Sequence, residues 1–342
     1  MNPYQPSGGS EPGGLPLLAG GVLIAALCTG AVLHIVSQWI NLLVVFPMVA
    51  GAAVGFAAAA IVKMRKIRAP LLVGGLALVG ALLTWSTDMG IGYVRMRMAF
   101  SEEIGKLAEA YESNTEDKLG ADALARTIDV VFVALGSGEE PDGAALVATL
   151  TNEPFPREDG TLADPVPRPA FPAVVTGYLR FAAAEGTTIQ NNGRSETRVG
   201  ATGTGLLWGL EVLLMVAVAV GIAFARASQP FCEHCRDWYG DKEQIFVVSA
   251  DTDRKAALEA VRQGDAAALA LVANPNPDPK KFVTLHLRKC PTCAASPRYV
   301  RLVRNKVSGR KNNQSNLAKG MVDGPVFDKL VAALTPPPSL RG

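Results

Sequence analysis

Four stretches of the chain stay apolar long enough to cross a membrane. Residues 15–36 carry no charge over 22 positions, and at about 1.5 Å per residue that length covers a hydrocarbon core of ~30 Å. Residues 41–62 and 69–87 read the same way, and 205–225 do so with one interruption at Glu211. Outside these runs the pattern breaks into shorter units. Residues 89–112 continue the third run as a charged helix. Within 116–135, Leu119, Ala123, Leu124, Ile128, Val131 and Leu135 recur at helical spacing. The Gly-, Pro- and acid-rich stretch 136–168 predicts a long exposed loop broken by a short helix at 144–150. A helix is expected over 172–184, then a weak alternation over 187–199 around Asn192-Gly193, a hairpin signal.

After the fourth run the period shortens. Residues 245–249, 282–287 and 299–303 read as strands, 253–262 as a helix and 274–279 as a Pro/Asn turn. Residues 308–317 are polar and read as mobile, and 324–334 predict a final short helix. The expected fold class is a membrane α-helical protein of four spans with a small α+β zinc-ribbon-like cytoplasmic domain. Its parts are a disordered leader (1–14), three spans (15–87), an extracytoplasmic, mostly helical segment with a Gly/Pro-rich loop (88–204), a fourth span (205–226), the ribbon-like domain (228–334) and a disordered tail (335–342).

Composition supports this reading. Of 342 residues 49% are apolar but only 6% aromatic, and the mean hydropathy is +0.21. Ala, Gly, Leu and Val without rings suit helices that approach closely in lipid. The leader carries no Lys or Arg and no small-x-small site follows the first run, so that run reads as a span rather than a cleaved signal. The net charge of +2 conceals an asymmetry: residues 88–204 hold 18 acidic and 10 basic side chains, and residues 226–342 hold 11 and 19. Lys63, Arg65, Lys66 and Arg68 crowd the short link between the second and third runs. Basic residues in short loops stay inside, which places both termini in the cytoplasm of a bacterial inner membrane and residues 88–204 outside. Trp39, Trp85 and Trp208 then fall at the outer ends of their spans.

Within the spans, Ala26-x-x-x-Gly30 and Gly51-x-x-x-Gly55 form small-residue faces, and Pro47 predicts a kink in the second helix. Glu211 reads as a carboxylate reaching the outer interface or tying two helices together, with His34, Arg95 or Arg97 as partner. A proton or ion site is the alternative. Gly200–Gly205 superficially resembles a phosphate loop, but it lacks Lys and leads into an apolar span rather than a soluble helix. No His-Glu-x-x-His, Walker loop or Gly-x-Ser-x-Gly is present. The expected protein is therefore not an enzyme.

The chemistry-bearing residues are two Cys-x-x-Cys pairs, Cys232/Cys235 and Cys290/Cys293. Each turn can present two thiolates to one ion, and four sulfurs make the tetrahedral set that suits zinc. The second pair lies between two predicted strands, at a hairpin tip. Thiol–disulfide exchange uses the same spacing, but usually opens a helix; haem attachment needs a His where Arg236 and Ala294 stand. His234 and His286 are expected to be bystanders, and Cys28 a small apolar packer. The basic run of Arg298, Arg301, Arg304, Lys306, Arg310 and Lys311 is either a solvated face or a surface for anionic lipid headgroups, with nucleic acid a weaker candidate.

The Asn-Pro-Tyr-Gln leader, the early spans, the stretch Phe-Cys-Glu-His-Cys-Arg-Asp-Trp-Tyr and the later Cys-Pro-x-Cys together resemble uncharacterised bacterial multi-pass membrane proteins with a cytosolic zinc-ribbon tail. The resemblance implies zinc for Cys232, Cys235, Cys290 and Cys293 and no catalytic role. The expected function is a non-enzymatic membrane protein whose zinc-stabilised domain recruits or senses a cytoplasmic partner. The alternatives are a membrane thiol oxidoreductase and a small transporter or channel component.

Overall fold

The computed structural model describes residues 6–37, 44–113, 119–191, 195–239, 243–248, 281–288, 290, 292, 298–308, 311–326 and 328. In chain order these form helices α1 (Gly14–Ser37), α2 (Val45–Met64), α3 (Pro70–Glu112), α4 (Ala121–Ser137) and α5 (Gly143–Thr151). Next come strands β1 (Phe155–Pro156) and β2 (Leu162–Ala163), helix α6 (Phe171–Glu185), strands β3 (Thr187–Asn191) and β4 (Ser195–Val199) and helix α7 (Ala201–Ala227). The chain then runs through β5 (Phe231–Cys232), β6 (Asp237–Trp238), β7 (Glu243–Val248), β8 (Lys281–Arg288), β9 (Arg298–Ser308) and β10 (Lys311–Val322). Two compact units emerge: Gly20–Ala57 with Leu76–Gly221, and Met1–Ala19 with Ala58–Gly75 and Ile222–Gly342.

Four helices are long and apolar enough to span a membrane: Gly14–Ser37, Val45–Met64, Pro70–Lys106 and Ala201–Ala227. Their outward side chains are apolar too, Leu71 being 83% exposed, Leu206 72% and Phe56 64%. Such a surface is stable against lipid tails and not against water. Helix α3 has 43 residues, about 65 Å at the standard rise and twice what a bilayer core requires. Its last turns therefore serve as a scaffold for α4, α5 and α6.

In the first unit the small-residue faces pack as expected. A Cβ on Gly30 would meet the Thr84 carbonyl at 2.6 Å, and one on Gly51 would come within 3.0 Å of Met215 Cα. Thus α1 approaches α3, and α2 approaches α7, at backbone distance. Pro47 does not kink α2. The helix begins at Val45, so Pro47 sits in the first turn, where its missing N–H has no intrahelical acceptor to lose. His34 does not pair with Glu211 either: its Nδ1 lies 3.0 Å from Asp88 Oδ1. Arg97 is taken by Asp129 at 2.9 Å. Among the described residues no salt bridge reaches Glu211.

Beyond the membrane length of α3, its end packs with α4, α5 and α6 around Ile104, Ile128, Val131, Phe132, Leu150, Val174 and Tyr178. Phe132 is the hub, with Tyr93, Phe100 and Tyr178 at 5.4–6.1 Å between ring centroids. Helix α4 closes on Gly138 (φ 80°), whose N–H donates to the Leu135 carbonyl while Glu139 N donates to that of Ala134. The Asp142 carboxylate caps α5 by accepting from Ala144 N at 3.0 Å. The expected hairpin over 187–199 is β3 paired antiparallel with β4. Strands β1 and β2 form a second small hairpin within the expected loop.

In the second unit, β7, β8, β9 and β10 form one antiparallel sheet in the order β10-β9-β8-β7. Residues 311–322 form the longest strand, not a mobile segment: β10 pairs along nearly all of β9, with one register shift between Asn316 and Ala318. Its composition (Lys-Asn-Asn-Gln-Ser-Asn) is poor for a strand, but backbone pairing along β9 overrides propensity. The expected helix at 253–262 and turn at 274–279 lie outside the described residues, as does most of 324–334.

Candidate metal centre

The first Cys-x-x-Cys pair sits on a two-stranded knuckle. Phe231 pairs with Trp238 and Cys232 with Asp237, so residues 233–236 form the connecting turn. Arg236 adopts φ 51° there, a left-handed conformation that lets so short a turn close. The second pair begins directly after β8, and β8 pairs antiparallel with β9, so Cys290 lies at the hairpin tip predicted from the strand pattern.

The fold brings Cys232, Cys235 and Cys290 together, their sulfurs all within 4.8 Å of one another. Cys232 and Cys290 are each 3% exposed, and Tyr239, Tyr299 and Met321 pack around the three. Two buried thiols and one half-buried one, brought together from two separate hairpins, can hold a single metal ion. Cys293 lies outside the described residues. His234 is exposed in the turn. His286 is buried and linked to Thr284, its Nε2 lying 2.8 Å from Thr284 Oγ1. That hydroxyl accepts from Asn305 Nδ2 at 3.0 Å, and Asn305 Oδ1 accepts from Gln314 Nε2 at 3.0 Å. This network ties β8, β9 and β10 together and is structural. Cys28 is exposed on α1, on the outward side rather than against a neighbouring helix.

The basic run is not one face. Alternation along β9 puts Arg298, Arg304 and Lys306 on one side of the sheet and Arg301 on the other. Arg298 is buried, whereas Arg304 and Lys306 are exposed. Arg310 lies outside the described residues, and Lys311 begins β10.

Sequence reasoning missed two other constellations. Asp129, 5% exposed, lies between Arg97 and Arg168, the latter donating from Nε at 3.0 Å; Arg168 in turn reaches Asp122. The only signal was a single acid on the apolar flank of α4, adjacent to Ile128. The other is the contact of the knuckle with residues 63–68, whose partners stand more than 160 positions apart. A cavity of about 970 Å³ opens beside α5, walled by Ile104, Leu146, Leu150 and Phe155 with Asp142 and Arg157 at its rim. No protein-family model, curated protein or solved structure matches this chain.

Proposed function

We propose that the chain is a non-enzymatic integral protein of the bacterial cytoplasmic membrane, whose zinc-stabilised domain on the cytoplasmic side recruits or senses a partner. The observation that carries this reading is the convergence of the Cys232, Cys235 and Cys290 sulfurs to within 4.8 Å. Cys293, three residues further along the chain and outside the described residues, is the fourth ligand in this reading. Clustered sulfur donors favour zinc over hard cations. A site closed by four thiolates leaves no position for water, so the ion stabilises and does not catalyse. Reduced thiolates belong in the cytoplasm, in agreement with the basic 63–68 link. Arg304 and Lys306 are the side chains available to anionic headgroups or an acidic partner.

The test is metal analysis of the full-length protein purified in detergent. One zinc per chain is expected, lost in Cys290→Ser together with resistance of the domain to protease. A metal-free protein whose Cys232 and Cys235 cycle as a disulfide would instead make it a thiol oxidoreductase.

A further inference from the structure

A two-residue hairpin such as β5–β6 does not hold its shape alone in water. The knuckle that carries Cys232 and Cys235 is held by residues from the link between α2 and α3. The Arg68 guanidinium lies over the Phe231 ring at 4.5 Å from its centroid and pairs with the Glu233 carboxylate. Phe231 and Trp238 meet edge to face at 5.1 Å, and Arg226, at the end of α7, covers Trp238 at 5.4 Å. The Trp238 indole Nε1–H donates to the Lys63 carbonyl at 3.3 Å.

That carbonyl belongs to the last turn of α2, where the final four carbonyls have no intrahelical donor. Two of its neighbours are satisfied locally, Ile61 by Arg65 N at 2.8 Å and Val62 by Ile67 N at 3.1 Å. The knuckle satisfies Lys63. The link is itself held in place. Lys66 turns the chain at φ 48° and Ile67 is fully buried. Arg68 N donates to the Gly9 carbonyl at 2.8 Å, and Gly8 N to the Arg68 carbonyl at 3.1 Å. A Cβ on Gly9 would approach Arg68 Cζ at 3.1 Å, so the leader passes the guanidinium at backbone distance. With its side chain only 14% exposed, Arg68 keeps more of its charge interaction than a surface residue would.

We propose that the α2–α3 link is a working part of the metal centre, with Arg68 the residue that positions the Cys232–Cys235 turn. This rests on the reading of the three cysteines as metal ligands. Metal binding and docking of the knuckle require the same turn geometry, so each strengthens the other by the same factor. Loss of the ion releases Arg68 and uncaps α2, which makes metal occupancy legible at the adjoining ends of two membrane helices.

The experiment uses full-length protein in detergent, with zinc affinity measured by competition against a chromophoric chelator. Arg68→Ala is expected to weaken zinc roughly 5- to 30-fold. Trp238→Phe keeps the ring and removes only the indole donor, and weakens zinc about 2- to 5-fold. The exchange Arg68→Glu with Glu233→Arg should recover part of what each single change loses, which general destabilisation would not produce. As a second reading, trypsin should cut between Lys63 and Lys66 faster once zinc is stripped from the wild type, and equally fast in Arg68→Ala before and after stripping. Unchanged zinc affinity in both Arg68→Ala and Trp238→Phe, with zinc-independent cutting of the wild type, overturns the inference and leaves the metal site standing. A wild type that binds no zinc removes both.

Discussion

Asp129 Oδ1 lies 2.9 Å from Arg97 Nη1, and this pair joins α4 to the extension of α3. The carboxylate is almost fully buried, and Arg168 completes its shell from the segment before α6. Removing one arginine leaves Asp129 a partner; removing both strands a charge in an apolar core. Arg97→Ala together with Arg168→Ala should therefore cost about 3–5 kcal/mol, more than the two single losses added. Thermal unfolding of the four proteins of this cycle measures the excess, and simple additivity would show that the pairs act independently.

Helices α4 and α6 cross at glycine. A Cβ on Gly177 would lie 3.0 Å from Val133 Cα, with the Phe132 carbonyl closer still. Gly177→Ala gains up to about 1 kcal/mol in helix propensity, but overpacking of a backbone contact costs about 1–3 kcal/mol. The crossing should prevail and lower the melting temperature. Gly105→Ala in α3 meets nothing within 4 Å and should raise it. A stabilising Gly177→Ala would show that the helices can part without loss.

Asp142 is expected to contribute to the acid response of α5. A hydrogen bond from Arg157 holds its carboxyl below the usual carboxylate range, and the same group caps α5. Because the folded value is depressed, this stabilisation is present above the ordinary carboxylate range near pH 4 and is lost as pH falls through the depressed value. Asp142→Asn keeps the cap and abolishes the charge. Circular dichroism between pH 2 and 7 should show a smaller acid loss in the variant. An identical pH profile would exclude Asp142 as the origin.

Topology can be read with a reporter active only outside the cytoplasm. Fused after Gly160 it should be active, and fused after Gly320 silent, as the proposed cytoplasmic side for the basic 63–68 link requires. The reverse pattern would put the cysteines in an oxidising compartment, and the zinc reading would fall with it.

The four long apolar helices and the Cys232–Cys235 turn were legible in the sequence because their causes are local. Twenty apolar residues suffice to specify a span whatever surrounds them, and Cys-x-x-Cys brings two sulfurs near each other within one turn. The hairpin that delivers Cys290 was legible for the same reason, since alternation in β8 and β9 is a nearest-neighbour pattern. What only the tertiary structure decided are relationships between residues far apart in the chain. Residues 311–322 look like a polar linker by composition and become a strand because β9 offers a row of backbone partners. The charges of Arg298, Arg301 and Arg304 read as one patch in sequence, and the pleat of β9 divides them. Arg68 looks like an orientation signal in a basic link; only folding sets it against Phe231 and Glu233, 163 and 165 positions away. Periodicity and spacing are written along the chain, whereas the pairing of a buried charge is selected by whichever surface the fold brings to it.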